Sequence, residues 1–438
     1  MSTESAAPPA PSAPEAHSTS GPRGPREPRG YAITFSLAYT GLFFAILTPI
    51  LGGLSVKLQS LVGLEDAPLQ LGLVTGIGAL FALVAQPIAG RLSDATISRW
   101  GMRRPWIVIG VVGTFLSLVG VGLAPNVVVL TVAWCAAQTF TNFAQAAEAA
   151  SLADQVPVRR RGYVSGLAGA AVPIAILAGA TSLNFLPNDF WRAAAPGAVG
   201  LIFGLLFALT LKDKVRSKRP NAPMTFFNFI STFLFNPRRM PDLGWAWLTK
   251  AMIMLGYGAV GTYLTLFLAT SYDMDIPEQL QFNLSATFVS VAFMIAVSII
   301  GGKLSDVAGR RRVFVSIGGV LAGAGILLLA VSPNFGTGGL TVILVAEALI
   351  GAGMGLFFAV DAALCIDVLP DDGNTAKYLG ILNIANTLPA MVAPLIAGVI
   401  FIPLGQTLFG AGYTLWFVVA GLVAIAGGVL VFRVRGVR

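Results

Sequence analysis

Charged residues are few in this chain and they cluster, so the chemistry open to them follows from where they stand. Residues 90–106, GRLSDATISRWGMRRPW, set Asp94 among Arg91, Arg99, Arg103 and Arg104, and residues 302–312, GKLSDVAGRRR, set Asp306 ahead of Arg310, Arg311 and Arg312. A carboxylate beside guanidinium groups accepts charge-assisted, often bidentate hydrogen bonds that are shorter and stronger than neutral ones. Two acidic segments are doubled in the same way: AEAASLADQVP at 147–157 carries Glu148 and Asp154, and VDAALCIDVLP at 360–370 carries Asp361 and Asp367. Glu347 stands apart in an apolar run. An isolated acid there would do one kind of work, the uptake and release of a proton as its surroundings dry and wet.

The elements that must position these groups are membrane helices. The 438 residues are 55% hydrophobic and 11% charged, with a mean hydropathy of +0.79; a soluble domain carries about 25% charged residues. The solvent is therefore lipid, and apolar runs long enough for a core of about 30 Å must be helical, because each backbone amide has to be paired within its own segment. Turn signals and charges predict twelve spans, at about 31–56, 68–91, 105–124, 127–152, 163–186, 191–212, 243–270, 280–303, 312–332, 339–366, 378–403 and 409–432. The Pro-, Ser- and Gly-rich residues 1–30 contain no apolar core and read as a disordered tail.

Placing the N-terminus in the cytoplasm puts nearly all 28 Lys and Arg on that side, with Lys57 and Arg192 opposite and Lys250 inside a span. The positive-inside rule then sets both termini in the cytoplasm of a multi-pass protein of the cell membrane. The net charge of +8 follows from this asymmetry and calls for no nucleic acid. The single histidine, His17, lies in the tail, and Cys135 and Cys365 read as small buried hydrophobes, so no metal site is expected.

The charged segments also reveal a duplication. Asp94 and Asp306 are 212 residues apart, and Glu148 and Asp361 are 213 apart. The expected fold class is all-α and integral to the membrane, with twelve transmembrane helices in two pseudo-symmetric six-helix bundles. The domains are a tail at 1–30, a bundle at 31–212, a cytoplasmic linker at 213–242, a second bundle at 243–432 and a tail at 433–438. Helical rise places Glu148 and Asp361 near the cytoplasmic ends of their spans, level with the arginines. The two clusters are accordingly read as cytoplasmic gates, formed by Arg91, Asp94, Arg103, Arg104, Glu148 and Asp154 in one half and by Asp306, Arg310, Arg311, Arg312, Asp361 and Asp367 in the other. Lys250 is expected to snorkel toward the inner interface, the alternative being an ion partner in the central cavity.

Membrane proteins built from two repeats that bind a solute hold it near the midplane between the halves. Tyr39, Thr40, Gln138, Asn142, Tyr257, Thr262, Asn383 and Asn386 fall at about that depth. Neutral amides and hydroxyls suit an uncharged polar solute; a phosphate or dicarboxylate would ask for central arginines. No nucleophile elbow, H-E-x-x-H pair or P-loop is present, so neither an enzyme nor an ATP-driven pump is expected. No cofactor is expected beyond an ion gradient, with protons the coupling ion and Glu347 the candidate carrier. The expected partners are a small-molecule substrate and the lipid bilayer, and the chain is expected to act as a monomer.

Six-plus-six helices, a long linker and G-x-L-S-D with a basic cluster in both halves resemble the major facilitator superfamily. The longer first copy, with S-R-W-G-x-R-R-P-W after the aspartate, resembles the glycoside-pentoside-hexuronide and sucrose:proton symporters. The resemblance implies alternating access and a sugar or glycoside cargo. It would also expect acids in the second span for sodium, an acid midway along the fourth and an arginine in the fifth, but residues 68–89 hold no acid, Gln138 stands in the fourth, and residues 163–186 hold no arginine. An exporter of drugs or natural products and an uncoupled facilitator are the alternatives; Phe43, Phe44, Trp134, Phe140, Phe143, Phe357 and Phe358 would give the exporter its aromatic cavity.

Overall fold

The computed structural model describes residues 28, 30–215, 235–258, 260–370 and 375–436. Most of the tail expected at 1–30, the middle of the linker at 213–242, and His17, Arg23, Arg26 and Arg29 lie outside the described residues. Ten helical stretches are long and apolar enough to cross a membrane. Two of them hold two crossings each: 31–95 breaks at Gly63 (φ 80, ψ 174), and 311–367 breaks in the short 3₁₀ segment at Gly336 (φ 53, ψ −123). The twelve spans are thus 31–62, 64–95, Arg104–Leu123, Val127–Gln155, Val158–Phe185, Asp189–Thr210, 241–272, Ile276–Ala308, Arg311–Val331, Gly339–Asp367, 375–409 and Gly412–Leu430.

Several helices outrun their apolar runs, because capping groups at the interface start them early. Asn126 and Asn188 accept from the backbone N–H of Val129 and Trp191 and so begin the fourth and sixth spans. Asp275 and Glu278 form a reciprocal capping box that starts the eighth span at Ile276. Each such cap satisfies backbone donors that the first turn leaves open.

Each half packs by one scheme. The first span lies against the fifth and sixth, the second against the fourth, and the third against the fourth and sixth; the seventh to twelfth repeat these pairings. The halves meet where the second span touches the eleventh and the fifth touches the eighth. The ends of the first and last spans, Tyr31 and Leu430, and both basic motifs lie at one face, called here the motif face; the turns near residues 63, 124, 187, 274 and 336 lie at the far face.

The hydrogen bonds that join the halves gather toward the far face. Asn283 Nδ2 donates to Leu51 O at 2.7 Å and Gln59 Nε2 to Gln279 Oε1 at 3.0 Å. Tyr263 Oη sits between the carbonyls of Pro68 (3.1 Å) and Pro394 (2.9 Å). Gly398 permits this approach: a Cβ there would stand 2.2 Å from Tyr263 Oη and 2.5 Å from Pro68 O. The far face is therefore the sealed one.

Candidate functional site

Between the halves lies a cavity of about 630 Å³. Tyr39, Gln138, Asn142, Thr262, Asn383 and Asn386 line it, as expected from their depth; Tyr257 and Thr40 are not among the lining residues. Thr75, Gln86, Thr141, Gln145 and Thr387 join the wall and were missed. The signal for the fourth span was present, since 138, 141, 142 and 145 recur at the spacing of one helix face. No Asp, Glu, Lys, Arg or His lines the cavity among the described residues. Asn142 Nδ2 donates to Gln138 O at 2.8 Å, and the Trp134 indole N–H, also at the wall, has no partner. The wall thus offers uncharged donors and acceptors beside the aromatic faces of Phe43 and Trp134.

In the first half the charges form a compact network at the motif face. The buried Arg103 guanidinium reaches Asp94 at 2.6 Å, Asp154 at 3.0 Å and Ser93 Oγ at 2.6 Å. Burial works against its charge, but the hydrogen bonds and charges of Asp154 and Asp94 outweigh that and raise its pKa above the ordinary arginine value. Asp213 accepts from the backbone N–H of Arg103 (2.6 Å) and Arg104 (2.8 Å), and Arg104 donates to the Leu211 carbonyl. Gly101 makes the turn with φ 101, and a Cβ there would collide with the Asp213 carboxylate at 2.2 Å. The motif therefore ties the second, third and fourth spans to the chain leaving the sixth.

Glu148 was expected beside these arginines and is not. It is fully buried, and neither carboxyl oxygen has a hydrogen-bond partner among the described residues. The reason is helical phase: at 3.6 residues per turn, the six positions from Glu148 to Asp154 rotate the side chain by about 240°. Asp154 faces Arg103, while Glu148 faces the first span near Tyr39.

The second half arranges its charges differently. Arg311 pairs with Asp367 and donates to Ala363 O at 2.9 Å, and Arg312 donates to Val434 O at 2.6 Å. Asp306 and Arg310 are exposed and enter no ion pair among the described residues. Asp361 meets no arginine: Lys250 Nζ lies 2.6 Å from its Oδ2, with Cys365 Sγ 3.7 Å from its Oδ1. Lys250 does not snorkel, because this carboxylate in the neighbouring helix holds it. Glu347 is buried, with the Ser290 hydroxyl close by and Tyr257 within electrostatic reach. The pairs made by Arg103, Lys250 and Arg311 all stay within their own half.

Twelve helices in two repeated bundles around a central polar cavity are the architecture of a membrane solute transporter. The chain matches the Major Facilitator Superfamily over residues 33–332 and 277–438, and it belongs to that family. It is 27% identical over 235 residues to an alpha-ketoglutarate permease of Bacillus subtilis (strain 168), a match covering 53% of this chain and 50% of that one. The chain thus spans half the length of that curated relative. Among solved structures it resembles a D-xylose-proton symporter (TM-score 0.69, 16% identity, 93% of this chain and 98% of that one). It also resembles a peptide transporter POT in complex with sulfate (TM-score 0.71, 13% identity, 92% and 94%). At these identities the likeness is one of fold.

Proposed function

We propose that the protein moves a small uncharged polar solute, a sugar or glycoside, across the cytoplasmic membrane by alternating access, coupled to the proton gradient. The observation that carries the cargo class is the cavity wall: about 630 Å³ of space lined by amides, hydroxyls, three aromatic rings and aliphatic side chains, with no charged side chain among the described residues. That size falls in the range of about 300–1,000 Å³ usual for small-molecule sites. A dicarboxylate such as the permease's named substrate would leave its charges unpaired against this wall, at a desolvation cost that arginine normally offsets.

In this reading the motif face is cytoplasmic, by the positive-inside rule, and the cavity opens there. The Arg103 and Arg311 clusters flank its mouth and act as the gate that closes when the far side opens. The second-half carboxyl Glu347 is one candidate for carrying the proton, since an intramembrane acid is kept for a function. The sucrose and glycoside-pentoside-hexuronide branch remains the expected relation, on the strength of the longer first motif.

The test is uptake by purified protein in liposomes under an imposed pH gradient, with labelled sucrose, D-xylose and alpha-ketoglutarate. A sugar accumulates with the gradient and alpha-ketoglutarate does not; accumulation of alpha-ketoglutarate with no sugar moved would sink the reading. Export of an apolar drug is the second reading, favoured by Phe43, Trp134 and Met391 in the same wall. It would show as gradient-driven extrusion of a dye with no sugar transported.

A further inference from the structure

Two carboxyls at matched places in a duplicated fold would be expected to have matched surroundings, and Glu148 and Asp361 do not. Asp361 has Lys250 at 2.6 Å. Glu148 is 0% exposed, both its oxygens lack hydrogen-bond partners, and no ion pair among the described residues includes it. A carboxylate in a dry core with neither counter-ion nor donor is the costliest state such a group can take, and it avoids that state by holding a proton.

The titratable groups packed around Glu148 are all otherwise engaged. From the first span, Tyr31 Oη is 2.7 Å from Ser151 Oγ, which itself donates to the Glu148 backbone carbonyl at 2.7 Å. At the start of the third span Arg103 is held by Asp94, Asp154 and Ser93, and Arg104 by the Leu211 carbonyl. Arg91 and Asp94 on the second span, and Asp154 on the same helix, form no pair with Glu148. The remaining neighbour is Tyr39, which lies within electrostatic reach of Glu148 and also lines the cavity. Tyr39 therefore borders both the isolated acid and the cavity, which Asn142 and Gln145 on the helix of Glu148 also line. Glu347 differs on both counts: the Ser290 hydroxyl stands close to its carboxyl, and its neighbour Tyr257 is not among the lining residues.

We propose that Glu148 is a proton-binding site of the transport cycle, holding a proton while the cavity is open at the motif face and exchanging it with cavity water past Tyr39. In the exchange the carboxyl O–H bond breaks, the proton passes to water, and the carboxylate left behind is the form that must find a donor or water in another conformation. The inference rests on the proton-coupled reading above and supplies a residue for it.

The experiment is infrared difference spectroscopy of the full chain in lipid vesicles through a pH titration, comparing wild type, Glu148→Gln and Glu347→Gln. The carbonyl stretch of a protonated carboxylic acid is expected at neutral pH, with one component lost in Glu148→Gln and kept in Glu347→Gln. A wild-type spectrum without that band, or a band unchanged by Glu148→Gln, overturns the proposal. Should Glu148→Gln fail to fold, Glu148→Asp keeps the test open: a displaced component supports the assignment and an undisplaced one overturns it. In a second arm, the same vesicles take up labelled D-xylose or sucrose with and without a pH gradient. Glu148→Gln is expected to lose gradient-driven accumulation down to the level reached by exchange. If wild type moves neither sugar in either condition, the cargo reading fails alone, and the infrared band still decides the role of Glu148.

Discussion

The two halves share a backbone plan and disagree about charge. In the first, the cation sits at the end of the bundle, where Arg103 gathers Asp94, Asp154 and Ser93, and the buried carboxyl of Glu148 has no partner among the described residues. In the second, a cation stands inside the bundle against Asp361, and among the described residues the surface motif keeps the Arg311–Asp367 pair. The position 213 residues before Lys250 is Leu37, so no cation was available in the first half to do the same. Duplication preserved helix packing, which many contacts enforce together, and let single charges diverge. The half with a neutralised core acid is suited to rigidity, and the half with an isolated one to titration.

Removing the ammonium group tests this most severely. Lys250→Met leaves Asp361 buried without its counter-ion, and breaking one side of a buried pair costs about 3–5 kcal/mol. A large fall in the thermal unfolding midpoint in detergent is expected, with most of it restored by adding Asp361→Asn. Glu148→Gln, which removes no partner, is expected to leave the midpoint close to wild type. Equal losses in Lys250→Met and Glu148→Gln would mean that Glu148 also has a partner, and the contrast between the halves would vanish.

Arg103→Ala comes next. The guanidinium joins the second and fourth spans through three side chains, and hydrogen bonds to charged groups are each worth about 1.5–3 kcal/mol. Its loss leaves Asp94 half exposed to water, and the buried Ser93 hydroxyl keeps only its own bond to the Gly90 carbonyl. Protease cleavage of the 96–103 loop in vesicles should rise along with the fall in midpoint; a stable protein with an uncleaved loop would show that the turn is held by Asp213 alone.

Much of this frame was legible in the sequence, and its limits have a common cause. Spans, repeat and depth follow from composition and from a rise of about 1.5 Å per residue, which is why Tyr39, Gln138, Asn142, Asn383 and Asn386 fell correctly at the cavity. Rise fixes depth and leaves azimuth open. Glu148 was placed at the level of the arginines but on the wrong side of its helix, and Tyr257 is one position, about 100° of rotation, from the lining Gly258. The Lys250–Asp361 pair joins residues 111 apart, and only the packing of the seventh span near the tenth brings them together.

The smallest effect is expected at the second motif. Arg311 and Asp367 are 30% and 36% exposed at the side chain, and an ion pair so open to water contributes about 0–1 kcal/mol, less as salt screens it. Arg311→Ala should therefore shift the unfolding midpoint by little, and raising the salt concentration should shrink even that difference. The Ala363 carbonyl that Arg311 also serves keeps its helical partner, the N–H of Asp367 four residues on, so it is not left unpaired when Arg311 is removed. An Arg311→Ala loss as large as that of Arg103→Ala would mean that the second motif is as structural as the first, and that the halves differ only in where Lys250 stands.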